Sequence, residues 1–279
     1  MQIHHLRSAT LLLSIGPHRI LVDPMLSAPG TLPGFKLFGG GRRKNPLVPL
    51  PASTNELLAQ TTCVLVTHEH PDHLDGAAVA WIAARKLPVF ASPTDVPSLR
   101  KKGLTAQVFR TGSLGLAVEL VPSRHGLGLL GWLMGPVAGF YLAHPDEPSV
   151  YLTGDAVMSD GVVDALSRLR PDVVIAPAGA ANFGLGPNIL FSIDELMGLV
   201  RLAPGRLLFN HLESLDHCPT TRKVLRDRLE KEGLADRVHI PADGEMVSFA
   251  TSGQASHAQP GPYPERIHRL QKWVSGLLG

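Results

Sequence analysis

Cysteine is nearly absent: Cys63 and Cys218 are the two thiols in 279 residues. Cys63 falls within an apolar run and reads as a small core residue, while Cys218 sits in a polar stretch. Such a pair implies no disulfide framework and fits a reducing compartment. Excess charge is missing too. The formal net charge is +2, and aromatic residues make up only 5%. Phosphate neutralisation and base stacking along a polymer have little to draw on, so nucleic acid is not a favoured partner. The one basic run, Arg42-Arg43-Lys44, follows three glycines and reads as a solvated loop. No apolar run approaches a membrane span, since Gly131, Gly135 and Pro136 break the most apolar stretch, 129–137. The opening Met1-Gln2-Ile3-His4-His5 lacks the charged start and apolar core of an export signal. A cytoplasmic protein is expected. With 44% hydrophobic and 18% charged residues, a well-buried core is expected and disorder is not.

Histidine is present where it matters. The run Thr67-His68-Glu69-His70-Pro71-Asp72-His73 follows the apolar segment Cys63-Val64-Leu65-Val66. A strand ending in three imidazoles and two carboxylates places several metal-competent groups in one small loop. Neutral imidazole with carboxylate suits zinc first, with manganese or iron as alternatives. Three more residues have the same format, an apolar strand followed by one ligand-type side chain: His125, Asp155 and His211. Taken singly, each is more often structural; beside a dense histidine cluster, all three become candidates. His217, six residues after His211, reads as a substrate-contacting or ligand-orienting residue, or as a bystander near the next helix. Glu69, Asp75 and Glu213 are candidates to fix ligand tautomers, or are solvated charges. Asn182 lies in a run of small residues suited to close backbone approach, or in a plain loop. Residues 127–134, rich in Leu, Gly and Trp, wall an apolar pocket or form a lid, or tuck into the core.

Periodicity organises the rest. Residues 9–15 and 19–23 flank Gly16-Pro17-His18 as a hairpin. The stretch from Met25 to Pro51, rich in Gly and Pro, is a long loop of the kind that carries function. Beyond it, strands are expected at 63–66, 88–91, 116–121, 137–143, 149–153, 172–176, 206–209, 238–240 and 245–250. Helices are expected at 75–85, 93–102, 161–169, 193–202 and 219–232. This order suits an α/β protein (α+β by some schemes), with two mixed β-sheets face to face and helices outside. Residues 1–250 form one domain. Residues 251–264, rich in Ser, Gly, Ala and Pro, read as a linker. Residues 265–279 carry an apolar stripe, Ile267, Leu270, Trp273, Val274, Leu277 and Leu278, as an amphipathic helix. It docks on its own domain or, alternatively, on a partner subunit in a homo-oligomer.

The motif series resembles that of the metallo-β-lactamase fold superfamily. The matching segments are Leu21 to Pro24, Thr67 to Asp75, Ser123 to Gly126, Leu152 to Asp155 and Asn210 to Glu213. Within the superfamily the chain looks most similar to the ascorbate-6-phosphate lactonase-like metal-dependent hydrolases. The resemblance implies a four-layer αββα sandwich with the site at one edge between the sheets. It implies that His68, His70 and His125 bind one metal, that Asp72, His73 and His211 bind a second, and that Asp155 bridges them. Two divalent cations, zinc first, would acidify a bridging water for attack on an ester, lactone or phosphodiester, with Asp72 also able to accept the proton. A small-molecule substrate is expected. The alternatives are a nuclease or nucleotide phosphodiesterase, a non-catalytic metal-bound scaffold, and a di-iron redox protein in which Glu69 is a ligand.

Overall fold

Residues 1–250 are described by a computed structural model; the expected linker and C-terminal helix lie outside the described residues. The first half builds one sheet from β1 (Gln2–Arg7), β2 (Thr10–Ile15), β3 (His18–Val22), β4 (Cys63–Leu65), β5 (Pro88–Ala91) and β6 (Thr105–Val108). The second half builds another from β7 (Ala117–Arg124), β8 (Pro136–Ala143), β9 (Val150–Leu152), β10 (Val173–Pro177), β11 (Arg206–Asn210) and β12 (Val238–His239). The last strand, β13 (Met246–Ser248), returns to the first sheet and pairs antiparallel with β1. Both sheets are mixed. Short hairpin connections join β1-β2-β3, and a longer connection joins β7 to β8. Both sets, β1-β2-β3 and β7-β8-β9, are antiparallel, whereas the crossovers make β3 to β6 and β9 to β12 parallel.

Burial sets the layers. β2 is buried at every position, as a central strand covered on both faces must be. Ile3, Leu11, Leu13, Ile20 and Leu65 face Phe140, Leu152, Ile175 and Leu208 across the gap between the sheets. On the outer face of the first sheet, α1 (Thr54–Ala59), α2 (Gly76–Arg85) and α3 (Val96–Lys101) bury Leu57, Ile82 and Leu99. A short α4 (Gly128–Met134) precedes β8. On the outer face of the second sheet, α5 (Asp160–Leu169), α6 (Ile193–Leu202) and α7 (Arg222–Lys231) bury Leu166, Leu196 and Leu225. This is the expected αββα sandwich. Four elements lie outside the periodicity reading: β1, β6, α1 and α4. β1 and β6 border strands whose pairing defines them, and α1 and α4 span only six and seven residues, too short for a helical period to show. Helix α7 starts at Arg222 rather than at 219, because the Thr221 side chain caps the Val224 amide and Thr221 itself stays extended.

The long loop holds its shape through polar clamps rather than secondary structure. Between Val22 and Thr54 the only regular pairing among the described residues is the bridge from Leu32 to Asn45. Fully buried Arg7 donates to the carbonyls of Met25, Ser27 and Val48. Asp216, at the far end of the chain, accepts from the amides of Phe35 and Arg43 and from Asn45 Nδ2 at 2.9–3.0 Å. Removing the Asp216 acceptor leaves those donors without a partner, at about 1–3 kcal/mol. Asp216→Ala is therefore expected to lower unfolding stability by about that amount and to open residues 33–45 to proteolysis. Unchanged denaturation and cleavage would show that the loop is held elsewhere.

Candidate metal centre

The seven candidate ligands and Asp23 stand just past the carboxyl ends of strands, on the same rim of the sandwich. Asp23 follows β3, His68 to His73 follow β4, His125 follows β7, Asp155 follows β9 and His211 follows β11. Parallel strands open such a crevice at their carboxyl ends. The backbone is bent to serve it. Asp23 and His211 take positive φ angles of 46° and 59°, costly conformations for residues with a Cβ that persist where surrounding contacts fix them. The His211 amide is held by the Ser8 carbonyl at 2.8 Å, and the same carbonyl receives His5 Nε2 at 2.9 Å. Gly154 has φ +61°, and a Cβ there would lie 2.9 Å from the Ala138 carbonyl. Glycine at that position lets Asp155 enter between the sheets.

All seven expected ligand residues converge. His68, His70 and His125 form one group of mutually close donor atoms, and Asp72, His73, Asp155 and His211 form another. Asp155 Oδ2 lies between them, 4.0 Å from His68 Nε2, 3.6 Å from His125 Nε2, 3.2 Å from His73 Nε2 and 3.7 Å from His211 Nε2. Asp72 Oδ2 is 3.3 Å from His211 Nε2. The Nε2 atoms of His68, His73 and His211 are buried without an aligned hydrogen bond. Buried nitrogens left unpaired are costly, and here they aim at two carboxylates. The residues therefore fit divalent cations, and the imidazole-carboxylate donor set is that of zinc, manganese or iron.

The Nδ1 atoms of His68, His73, His125 and His211 each face a partner, as coordination through Nε2 would require. His73 Nδ1 donates to Asp23 Oδ2 at 2.9 Å, and the same carboxylate accepts from the Thr67 amide and hydroxyl at 2.7 and 2.8 Å. His125 Nδ1 donates to the Ile189 carbonyl at 2.8 Å, and Thr67 Oγ1 lies 3.0 Å from His68 Nδ1. His211 Nδ1 faces the buried Cys218 thiol at 3.5 Å. Asp23 and Cys218 are orienting groups that the sequence reading missed. Asp23 stood inside a matching segment, and its place at a strand's end was the available signal; Cys218 gave none. The three acids expected in this role have other partners. Asp75 caps α2 and takes the Ser27 amide, Glu213 holds Arg222, and Glu69 meets Ser98 and Lys102 on the α3 side. Asn182 shapes its own turn, receiving the Gly184 amide and donating to the Ala180 carbonyl. Close backbone approach in that run occurs at Gly179, where a Cβ would strike the His211 carbonyl at 2.5 Å and Cys218 Sγ at 2.8 Å.

Charges in this pocket work against burial. Burial pushes the His73 ring down, but Asp155, Asp23 and Asp72 outweigh it and raise it to about 10. His211 is likewise raised well above its ordinary value despite burial, chiefly by Asp155. His70, by contrast, is held down to about 3 by burial and by the neighbouring His125. His217 is held down to about 4 by burial, so it is neutral at ordinary pH. It packs edge-on against Phe35 at 5.3 Å, and its buried Nδ1 has no partner. Together with Phe35, Met134, Phe183 and Ile189 it walls a hollow of about 20 Å³ facing His70, Asp72, His125 and Asp155, room for about one water. Residues 127–134 thus contribute to the wall through Met134, while Leu129 and Trp132 stand exposed at 74% and 41%.

A model of the beta-lactamase superfamily domain matches residues 18–212, and the chain belongs to that superfamily. Two solved structures share 30% identity, each covering 89% of this chain and 99% of the other. One is an isothiocyanate hydrolase from Delia radicum gut bacteria, with a TM-score of 0.81. The other is described as a possible metal-dependent hydrolase from Veillonella parvula, with a TM-score of 0.82. The UPF0173 protein YddR of Bacillus subtilis is 28% identical over 256 residues, spanning 89% of this chain and all of its own length.

Two outcomes follow from this geometry. In the metal-free protein at neutral pH, His73 and His211 carry protons that a cation must displace, so binding tightens as pH rises toward the raised value of His73. Calorimetric titration with zinc in buffers of different ionisation enthalpy should show release of about two protons, whereas buffer-independent heats would contradict this charge arrangement. Asp23→Ala should weaken metal binding by about 10- to 100-fold, read by competition with a chromogenic chelator, and an unchanged affinity would remove Asp23 from its orienting role.

Proposed function

We propose that this metal-dependent hydrolase works with two divalent cations, zinc first, on small uncharged electrophiles in the cytoplasm. His68, His70 and His125 would hold one cation and Asp72, His73 and His211 the other, with Asp155 shared. What supports the reading is the position of Asp155 Oδ2 within 4.0 Å of four imidazoles drawn from both groups. Four ligands satisfy a structural zinc, and this set is larger. When bound, such a pair supplies Lewis acidity and lowers the pKa of the water they share.

The chain's own residues supply the rest. Asp72 anchors the second position through its carboxylate beside His211 and takes up the proton released from water. His217, neutral and with an unpartnered ring nitrogen, offers a hydrogen bond to the departing heteroatom of the substrate. Phe35, Met134, Phe183 and Ile189 exclude bulk water from that face. No Lys or Arg lines the hollow, so apart from the cations themselves no cationic side chain there would pair with the remaining oxygens of a phosphodiester. An ester or lactone carbonyl fits better, as does the N=C=S carbon of the isothiocyanates named for the 30% identical gut-bacterial enzyme. The hollow admits only the reacting group, so the body of a larger substrate rests on the apolar wall.

Metal-loaded protein screened against carboxylic esters, lactones, isothiocyanates and phosphodiesters should turn over a neutral electrophile and leave phosphodiesters intact. His68→Ala and Asp155→Ala should abolish turnover and bound metal together. His217→Asn should lower kcat by about 10²- to 10³-fold with metal content unchanged. Preferred cleavage of phosphodiesters would overturn the substrate class, and unaltered kinetics in His217→Asn would remove that residue from the chemistry.

A further inference from the structure

Three segments wall the hollow, and each also carries large apolar side chains outward. Phe35 is followed by exposed Leu37 and Phe38, Met134 is preceded by exposed Leu127, Leu129 and Trp132, and Phe183 is followed by exposed Leu185. These six are most of the ten exposed large hydrophobics among the described residues, and they sit on the three segments that wall the hollow. The segments are joined. The amides of Leu37 and Phe38 both donate to the Phe183 carbonyl at 3.0 and 2.8 Å. Phe35, Met134, Phe183, Ile189 and the partly buried Leu130 pack as one small core beneath them.

The three collar segments themselves carry charge of one sign, although exposed Asp160 shares a cleft with Leu127 at one side. Arg42, Arg43 and Lys44 are exposed, close along the chain from Phe38, and none forms an ion pair among the described residues. Residues 34–44, 126–135 and 183–190 contain no Asp or Glu. The nearby Asp216 carboxylate is engaged with loop amides. Self-association through a two-fold axis at this face would bring like charges together. Exposed Leu, Phe and Trp ringed by cations are instead the composition of a surface that settles into the headgroup boundary of a bilayer.

We propose that the collar of Leu37, Phe38, Leu129, Trp132 and Leu185, with Arg42 to Lys44, docks the enzyme onto anionic lipid bilayers. Docking in this orientation turns the mouth of the metal centre toward the membrane, where apolar electrophiles concentrate; that consequence rests on the hydrolase reading above, whereas the docking does not. The full chain, metal-loaded, is sedimented with vesicles of phosphatidylcholine alone and of phosphatidylcholine with phosphatidylglycerol, without substrate. Binding to the anionic vesicles, weakened by salt, is expected. Arg43→Gln should reduce the partition coefficient about fivefold, and Leu129→Asp or Trp132→Asp by about tenfold or more. The melting temperature should stay unchanged, because these side chains are exposed. Absence of binding to anionic vesicles overturns the proposal. So does binding undiminished in all three variants, which would place the contact elsewhere on the chain. A Leu129-dependent dimer in light scattering with no vesicle affinity overturns it in favour of a second copy. Loss of turnover with vesicle binding intact would instead count against the hydrolase reading alone.

Discussion

The Asp155 carboxylate is the pivot of the structure. It is buried among four imidazoles that arrive from three different strand ends, and each of those strands is placed by a different part of the sandwich. Burying a carboxylate is costly, yet the surrounding rings hold its pKa well below the usual carboxylate range against that cost. The supporting shell follows from the same demand. Asp23 locks His73 and Thr67, the Ile189 carbonyl locks His125, and the Ser8 carbonyl holds the strained backbone of His211. Gly154 and Gly179 provide the room without which the strand ends could not approach so closely.

Much of the fold was legible because its strands are short, apolar and well separated. The apolar runs at 9–15, 63–66, 149–153 and 206–209 announced themselves, and the αββα sandwich is confirmed by the paired sheets. What escaped did so for physical reasons. β1 mixes polar and apolar residues because it lies between β2 and β13, and its identity depends on a partner more than two hundred residues away. α4 is stabilised by a small apolar core from three segments rather than by its own glycine-rich sequence.

The site was legible in its chemistry but only partly in its supports. Three imidazoles and two acids in one loop could hardly be anything but a cation site or a very expensive surface. His125, Asp155 and His211 were only available residues until the strand ends brought them to the same carboxylate. The orienting groups were harder to see. Asp23 and Asp216 act through hydrogen bonds to residues far along the chain. Apart from the position of Asp23 at a strand's end, little in the local sequence distinguishes them from Glu69, Asp75 or Glu213, which serve the scaffold. Cys218 meets His211 only seven residues away, but a lone cysteine carries no pattern.

The apolar wall and the candidate metal-ligand cluster are two faces of one hollow, and the proposed preference for a neutral electrophile rests on that pairing. The most direct test is a crystal structure of protein purified without added metal, with anomalous scattering collected at the metal edges. The account predicts two anomalous peaks. One lies among His68, His70 and His125, the other among Asp72, His73 and His211, and Asp155 touches both. A single peak bound by four of these residues, or none at all, would contradict it.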